Sequence, residues 1–335
     1  NVSGVRVGTR QEIDLPLQVG AVDVTPYILG DATFYGEDLH GNSDTRLLGQ
    51  VGVRASLSMW NVDPSVQLPL LNVNGLAHKV TLEGEALYAD SSRDVDRLPL
   101  YDNLDDNAQE EFRHFMPFST FGGAPIPMMF DERLFALRTG IQSDVTAHSM
   151  DVADDLQLIR LGVRQRWQTK RGLPGRQRTI DWVTFDVVGT IFPDETDDNV
   201  GEPIGLVNYD FRWHVGDRFT ILSDGFYDFF TDGLKVTTVG STLTKPQVGS
   251  LYTGVRNISG PIDSTVLATA LIYRMSDKWL ATAGTSFDFG PAGTLGNSLA
   301  FTRIGESFLL TGGVTYDASR GNVGVRLMIE PRFAP

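Results

Sequence analysis

The sequence predicts an all-β chain of about sixteen antiparallel strands, and three observations support this. Apolar and polar residues alternate with a period of two in segments of about ten residues, as in strands with one apolar face. Short turn sequences separate many of these segments, and such connections join neighbouring antiparallel strands. The apolar stripe of an amphipathic helix, with its period of about 3.6 residues, is nearly absent.

The alternation recurs along the chain. From Leu206 to Val215 the odd-numbered residues after 206 are aliphatic or aromatic, whereas Asn208, Asp210, Arg212 and His214 are polar. The same split occurs in Gly49–Met59, Ile159–Gln168, Trp279–Asp288 and Val323–Glu330. Tight turns are predicted at 215–217, 275–277, 305–306 and 319–321, and longer connections at 36–44, 62–75, 144–155, 169–178 and 193–203. Tight turns at one end and longer loops at the other are typical of outer-membrane barrels.

Two architectures produce this alternation, because the apolar face meets either a protein core or lipid. The predicted strands are long enough to span a bilayer, for which about 9–11 residues are needed. Aromatic residues lie near the predicted strand ends, as in the girdles at membrane interfaces: Trp60, Tyr88, Trp167, Phe192, Trp213, Tyr227, Trp279 and Tyr316. We therefore expect residues 1–335 to form a single domain, an antiparallel transmembrane outer-membrane β-barrel.

Composition and motifs exclude several classes of function. The chain has 28 Lys+Arg against 42 Asp+Glu, a net charge of −14, which argues against nucleic-acid binding. It has no Cys, which excludes disulfides, thiolate catalysis and Cys-ligated metals. The histidines lack metal-ligand spacing, and no catalytic motif is present. We predict no enzyme activity, no catalytic residues, no metal site and no cofactor.

The polar strand faces supply candidate residues for the lining of a barrel lumen: Lys79, Glu83, Glu85, Arg160, Arg164, Arg166, Asp210, Arg212, Asp224, Arg326 and Glu330. Glu83 and Glu85 share a strand face, so they could support acid–base work or cation binding, or be balanced by nearby cations. The three arginines of 160–166 could hold phosphate groups bidentately or balance acidic residues across the lumen.

The long segment 90–131 carries nine acidic and three basic residues. Loops of this length are usually functional or poorly ordered. One helix is predicted within it at 105–115, with Asp105 as its N-cap. The acidic residues Asp102, Asp105, Asp106, Glu110 and Glu111 could bind divalent cations, which prefer clustered oxygen ligands; a solvated loop is the alternative.

Several short segments resemble the lipopolysaccharide-assembly protein family LptD, also called organic-solvent-tolerance protein OstA. They are Arg10–Leu17 with Val24–Tyr27, Leu76–Glu83 with Leu87–Tyr88, Leu98–Asp102, Arg133–Leu137, Leu161–Trp167 and Tyr273–Trp279. The resemblance implies that Arg133–Leu137 and Leu161–Trp167 are strands. The sequence departs from the family at Ala77, where Arg is usual, and at Leu82, where Pro is usual, and an Arg-Phe-x-Gly signature is missing before residue 133. The family barrel has about 26 strands, so the chain would be its C-terminal part or a shortened version.

The resemblance implies a translocon for lipopolysaccharide in the outer membrane. The glycan would pass through a wet lumen, and the lipid would leave through a weakly paired seam between the first and last strands. Its implied partners are lipopolysaccharide, outer-membrane lipid and an LptE-like lipoprotein plug. The alternative is a general porin or solute channel, in which Arg and acidic side chains set an electric field and segment 90–131 folds inward as a constriction. A second alternative is a soluble β-sandwich binding protein.

Overall fold

The structure is a computed structural model, and it describes residues 4–39, 41–99, 132–140, 142, 152–173, 175–230, 233–260, 263–290, 292–318 and 321–332. Strands dominate these residues, which confirms the predicted all-β fold. The strands are β1 Arg6–Asp14, β2 Leu17–Val19, β3 Val22–Tyr35, β4 Asp44–Leu68, β5 Val73–Ser91, β6 Leu156–Arg171, β7 Arg178–Ile191, β8 Ile204–His214, β9 Phe219–Asp228, β10 Lys235–Lys245, β11 Gly249–Ser259, β12 Ser264–Ser276, β13 Trp279–Asp288, β14 Gly293–Ile304, β15 Phe308–Asp317 and β16 Asn322–Pro331. The helices are α1 Glu132–Arg138 and α2 Glu195–Asp198.

The sixteen strands of the described residues belong to one antiparallel sheet in which each strand pairs with its neighbours in sequence. The exception is β2, which pairs with β3 in the same register as β1 does. The two are therefore halves of one strand interrupted at Leu15–Pro16, which leaves fifteen continuous strands. A single sheet does not fit the two packed sheets of a β-sandwich.

The connections alternate between the two ends of the sheet. The longest ones, 36–43, 92–155 and 192–203, all lie at one end, which we call the loop end. The opposite turn end carries connections such as 20–21, 215–218, 277–278 and 305–307. The long connection predicted at 62–75 is wrong, since β4 continues to Leu68 and β5 starts at Val73. Only a short 3-10 turn at Pro69–Leu71 and the left-handed Asn72 lie between them, because Asn tolerates that conformation without a long loop.

Helix α1 packs against one face of the sheet, which we call the inner face; the opposite one is the outer face. Phe135 makes an edge-to-face contact with Phe226 of β9 at 5.4 Å. Four consecutive residues of α1, Leu134 to Leu137, are buried. The strand implied here by the family resemblance is therefore wrong: an uninterrupted apolar run lacks the alternation of a half-buried strand. The predicted helix at 105–115 lies outside the described residues.

Burial is concentrated at the loop end of the inner face. One apolar cluster joins Tyr27 and Leu29 of β3 to Leu48, Leu87, Leu158 and Phe192 on or near the neighbouring strands. Phe192 thus belongs to this inner cluster, so its predicted place in an aromatic girdle is wrong. None of the helices within the described part of the chain is long and apolar enough to cross a membrane.

Candidate functional site: the charged inner face

Strand register places the predicted lumen residues on the inner face. Because side chains alternate between faces, Glu85 shares its face with its partners Arg54 and Arg160. The same counting puts the whole predicted set there: Lys79, Glu83, Glu85, Arg160, Arg164, Arg166, Asp210, Arg212, Asp224, Arg326 and Glu330. The structure therefore gathers on one surface residues that lie up to about 250 positions apart in sequence.

Glu85 is the centre of a polar cluster on β3–β6. Its Oε1 accepts hydrogen bonds from the Tyr27 hydroxyl at 2.9 Å and from Arg54 Nε at 3.0 Å. Arg160 lies 3.1 Å from its other oxygen. Arg54 also bonds both oxygens of Glu12 on β1, at 2.6 and 3.1 Å. These contacts of one buried carboxylate, two of them with guanidinium groups, link the four strands β3 to β6.

The remaining arginines of the set pair with close neighbours. Arg164 lies 3.1 Å from Glu83, Arg166 forms a bidentate pair with Asp186 at 2.5 and 2.9 Å, and Arg212 bonds Asp210 at 3.1 Å. Charge balance between the arginines and acidic residues therefore occurs between close neighbours on the sheet, as in the pair of Arg166 and Asp186. The shift of register between Trp167 and Gln168 instead leaves Asp181 bonded to Gln168 at 2.8 Å.

Three buried ion pairs of the described residues, which share two aspartates, were absent from the predicted set. Asp31 of β3 is contacted by Arg10 at 3.1 Å and by Arg46 at 3.2 Å. Arg138 of α1 bonds both oxygens of Asp228 at 2.9 and 2.6 Å and also bonds Asn199. Period-two counting from Tyr27 would have put Asp31 on the inner face. No sequence signal pointed to Arg138.

Arg138 anchors α1 to the inner face near the loop end. Its guanidinium lies over the ring of Phe230, 4.5 Å from the centroid, and its carbonyl accepts a hydrogen bond from Thr190 of β7 at 2.8 Å. Arg133 donates to the carbonyls of Val95 and Leu98. These contacts place α1, which belongs to the long connection 92–155, on the inner face at the loop end. We call this region the mouth.

Two carboxyls at this mouth have raised pKa values. Burial raises the pKa of Asp154 to about 6, helped by the nearby charges of Asp94 and Asp155. Burial also raises the pKa of Asp198 to about 6, and Asp194 is the first of the acidic residues that add to the effect. Within the described residues no three His, Asp or Glu side chains are grouped to hold a metal ion. The predicted cation ligands Asp102, Asp105, Asp106, Glu110 and Glu111 lie outside those residues.

The outer face is apolar and exposed. On β16 the outer residues are Val323, Val325, Leu327 and Ile329, which are between 64% and 82% exposed. Large apolar side chains are exposed on most other strands as well, including Val51, Val239, Leu271 and Leu299. Tyr88, Tyr227, Trp279 and Tyr316 lie on this face near strand ends. Trp60 pairs with Lys79 and so lies on the inner face, where it was not predicted.

A single antiparallel sheet with an apolar outer face and a charged inner face belongs to the outer-membrane β-barrel class, since a soluble sheet would turn its apolar face inward. No family model matches the chain, and no curated protein matches it.

Solved structures of porins resemble the chain weakly. Two mutant forms of the Rh. blastica porin match at 11% and 10% identity with TM-scores of 0.37 and 0.38. They cover 97% of this chain each, and 97% and 89% of the porin chains. A third structure, described as asymmetric conductivity of engineered proteins, matches at 10% identity and a TM-score of 0.37, over 85% of this chain and 91% of the other. TM-scores this low say nothing about what the chain does.

Proposed function

We propose that the chain forms an outer-membrane channel for polar solutes. The observation that carries this proposal is the division of one sheet into an exposed apolar outer face and an inner face of ion pairs. Lipid can cover the outer face, which water would solvate poorly. The inner face needs water, since half-exposed guanidinium and carboxylate groups are costly to bury in an apolar medium.

The inner pairs also suit a hydrated passage. Arg164, Arg212, Glu83 and Asp210 remain partly exposed after pairing, so they can exchange contacts with a passing solute. Helix α1 narrows the loop end in the way that an inward-folded loop forms a constriction. The helix is held by Arg138 and by the hydrogen bonds of Arg133 to Val95 and Leu98, which belong to the predicted segment 90–131. Residues 100–131 lie outside the described residues.

The direct test is reconstitution of the purified protein into a planar lipid bilayer. We expect stepwise increases in conductance as single molecules insert, and vesicles containing the protein should admit small sugars. A protein that stays in solution without detergent and produces no conductance would contradict the proposal.

The second candidate is the lipopolysaccharide translocon, which one structural observation favours. Within the described residues no ladder joins β1 to β16, and each open edge carries a proline. Leu15 N–H bonds the carbonyl of Pro26 on β3. Backbone N–H groups of successive residues in a strand point to opposite sides, so the backbone nitrogen of Pro16 points toward the open edge. Arg332 N–H bonds the carbonyl of Ser307, so the backbone nitrogen of Pro331 likewise points toward the open edge. A seam between these edges would lack donors at the turn end, as a sideways exit for lipid requires.

Isolation of the native protein from outer membranes in mild detergent separates the two candidates. A translocon should retain lipopolysaccharide and a lipoprotein plug through purification. A channel should purify alone and conduct ions. Lipopolysaccharide that washes off completely, with no second polypeptide present, would argue against the translocon.

A further inference from the structure

The exposed side of the inner ion pairs is cationic. In the pair of Arg160 and Glu85, the arginine side chain is 38% exposed and the glutamate side chain 4%. For Arg164 and Glu83 the values are 54% and 35%. The guanidinium of each pair therefore faces the open space, while its carboxylate lies closer to the sheet.

In a third pair, on β8, the arginine is again more exposed than its acidic partner. Arg212 is 60% exposed, against 40% for Asp210. At the turn end the order is reversed: Asp217 is 64% exposed while its partner Arg171 is 4% exposed, and Asp277 is fully exposed beside Arg274. In these two turn-end pairs the acidic side chain is thus the more exposed partner, whereas in the three inner pairs the guanidinium is.

The three exposed arginines form one strip. Arg160 and Arg164 lie four residues apart on β6, about 13 Å along the strand. Arg164 pairs in register with Asp186, and Asp186 with Asp210, so Arg212 follows two strands away and one step along the same face. A guanidinium has five N–H donors, so the exposed part of each of these arginines can donate further hydrogen bonds.

We propose that this strip makes the channel selective for anions and binds solutes that carry phosphate or carboxylate groups. The proposal rests on the proposed channel function and adds its substrate class. Guanidinium donors match the oxygens of phosphate and carboxylate in a bidentate geometry. A solute moving along the strip can pass from one arginine to the next without leaving the cationic surface.

The test is the reversal potential of the reconstituted channel in a gradient of KCl. We expect a chloride-to-potassium permeability ratio above one. The double variant Arg164→Gln/Arg212→Gln should lower this ratio at least about twofold, since each substitution removes a cation and uncovers a carboxylate. The matched control, Arg176→Gln/Arg303→Gln, changes the net charge equally at a turn and on the outer face and should leave the ratio unchanged.

Inorganic triphosphate added to the bath gives a second measurement. It should block the current of the unsubstituted channel and block the double variant at least about tenfold less effectively. If the double variant does not fold, the single variant Arg212→Gln replaces it, because Arg212 is the most exposed of the three arginines. A channel that prefers potassium, or a permeability ratio that the substitutions do not change, would overturn the inference without contradicting the proposed channel function. An absence of conductance would overturn both.

Discussion

Arg138 shows how much can depend on one buried side chain. Its guanidinium is fully buried and has its charge matched by Asp228, which is also buried. Removing one member of a buried ion pair leaves the other charge uncompensated in an apolar environment, which costs more than the pair itself contributes.

Arg138→Met should therefore lower the free energy of unfolding by about 3–5 kcal/mol. Denaturant titration followed by tryptophan fluorescence measures this. The double variant Arg138→Met/Asp228→Leu should recover most of the loss, since it removes both charges. Arg97→Gln, which breaks the exposed pair with Asp94, is the control and should cost less than about 1 kcal/mol. Equal losses in both single variants would contradict the account.

The mouth should become more stable as the pH falls. Asp154 and Asp198 have pKa values near 6 in the folded protein, against 3.8 ordinarily. Between these two values the folded state holds protons that the unfolded state has released, so stability falls as the pH rises toward 6 and stays low above it. Amide hydrogen exchange of residues 152–158 and 192–199, corrected for intrinsic rates, should show stronger protection at pH 5 than at pH 7.5.

Asp198→Asn isolates the contribution of one of these carboxyls. The variant should be better protected than the parent at pH 7.5 and depend less on pH, because its amide cannot ionise. Asp217→Asn, at the turn end, should keep the pH dependence of the parent. Protection that increases with pH in the parent would show that burial of these carboxyls does not control the mouth.

At the scale of single elements, the two faces of each strand have opposite requirements. Leu271 lies on the outer face of β12 and Ala270 on its inner face, near the middle of the strand. Neighbouring residues on one strand therefore allow the same substitution to be compared in two environments.

Leu271→Arg should destabilise the barrel by about 2–4 kcal/mol, the cost of placing arginine in the middle of the membrane on the lipid face. Ala270→Arg should cost much less, since its guanidinium enters the hydrated lumen. Both free energies of unfolding can be measured in lipid vesicles by titration with the denaturant guanidinium chloride. A larger loss for Ala270→Arg would mean that the faces have been assigned the wrong way round.

At the scale of the whole molecule, the described residues form fifteen continuous strands, each antiparallel to the next. Because fifteen is odd, the first and the last strands, β1 and β16, run in the same direction. In lipid, an open sheet edge would leave backbone groups without partners, so the edges must meet one another or a further strand. A direct contact would be a parallel pairing, unlike every other pairing in the sheet.

Cysteine pairs can test this seam without interference, because the chain has no Cys. If the edges meet directly, Gln18→Cys with Glu330→Cys joins two inner-face positions at the turn end and should form a disulfide in membranes. Gln18→Cys with Gly324→Cys places the second thiol toward the loop end and should not. Linking of the second pair alone would contradict the parallel arrangement, and linking of neither would indicate an intervening strand.

The sequence by itself determined the strands, their antiparallel order and the two faces, because period-two alternation and turn residues act over a few neighbouring positions. It therefore gave the side of the sheet on which Glu85, Arg164 and Asp210 lie. Which charges meet was decided by register between strands: Arg164 contacts Glu83, and Asp181 turns to Gln168 beyond an irregularity that no local pattern marks. Only tertiary structure made α1 a helix against the inner face. Its apolar run is ambiguous until Phe226, Asp228 and Thr190, some 50 to 90 residues further along the chain, supply the surface that buries it.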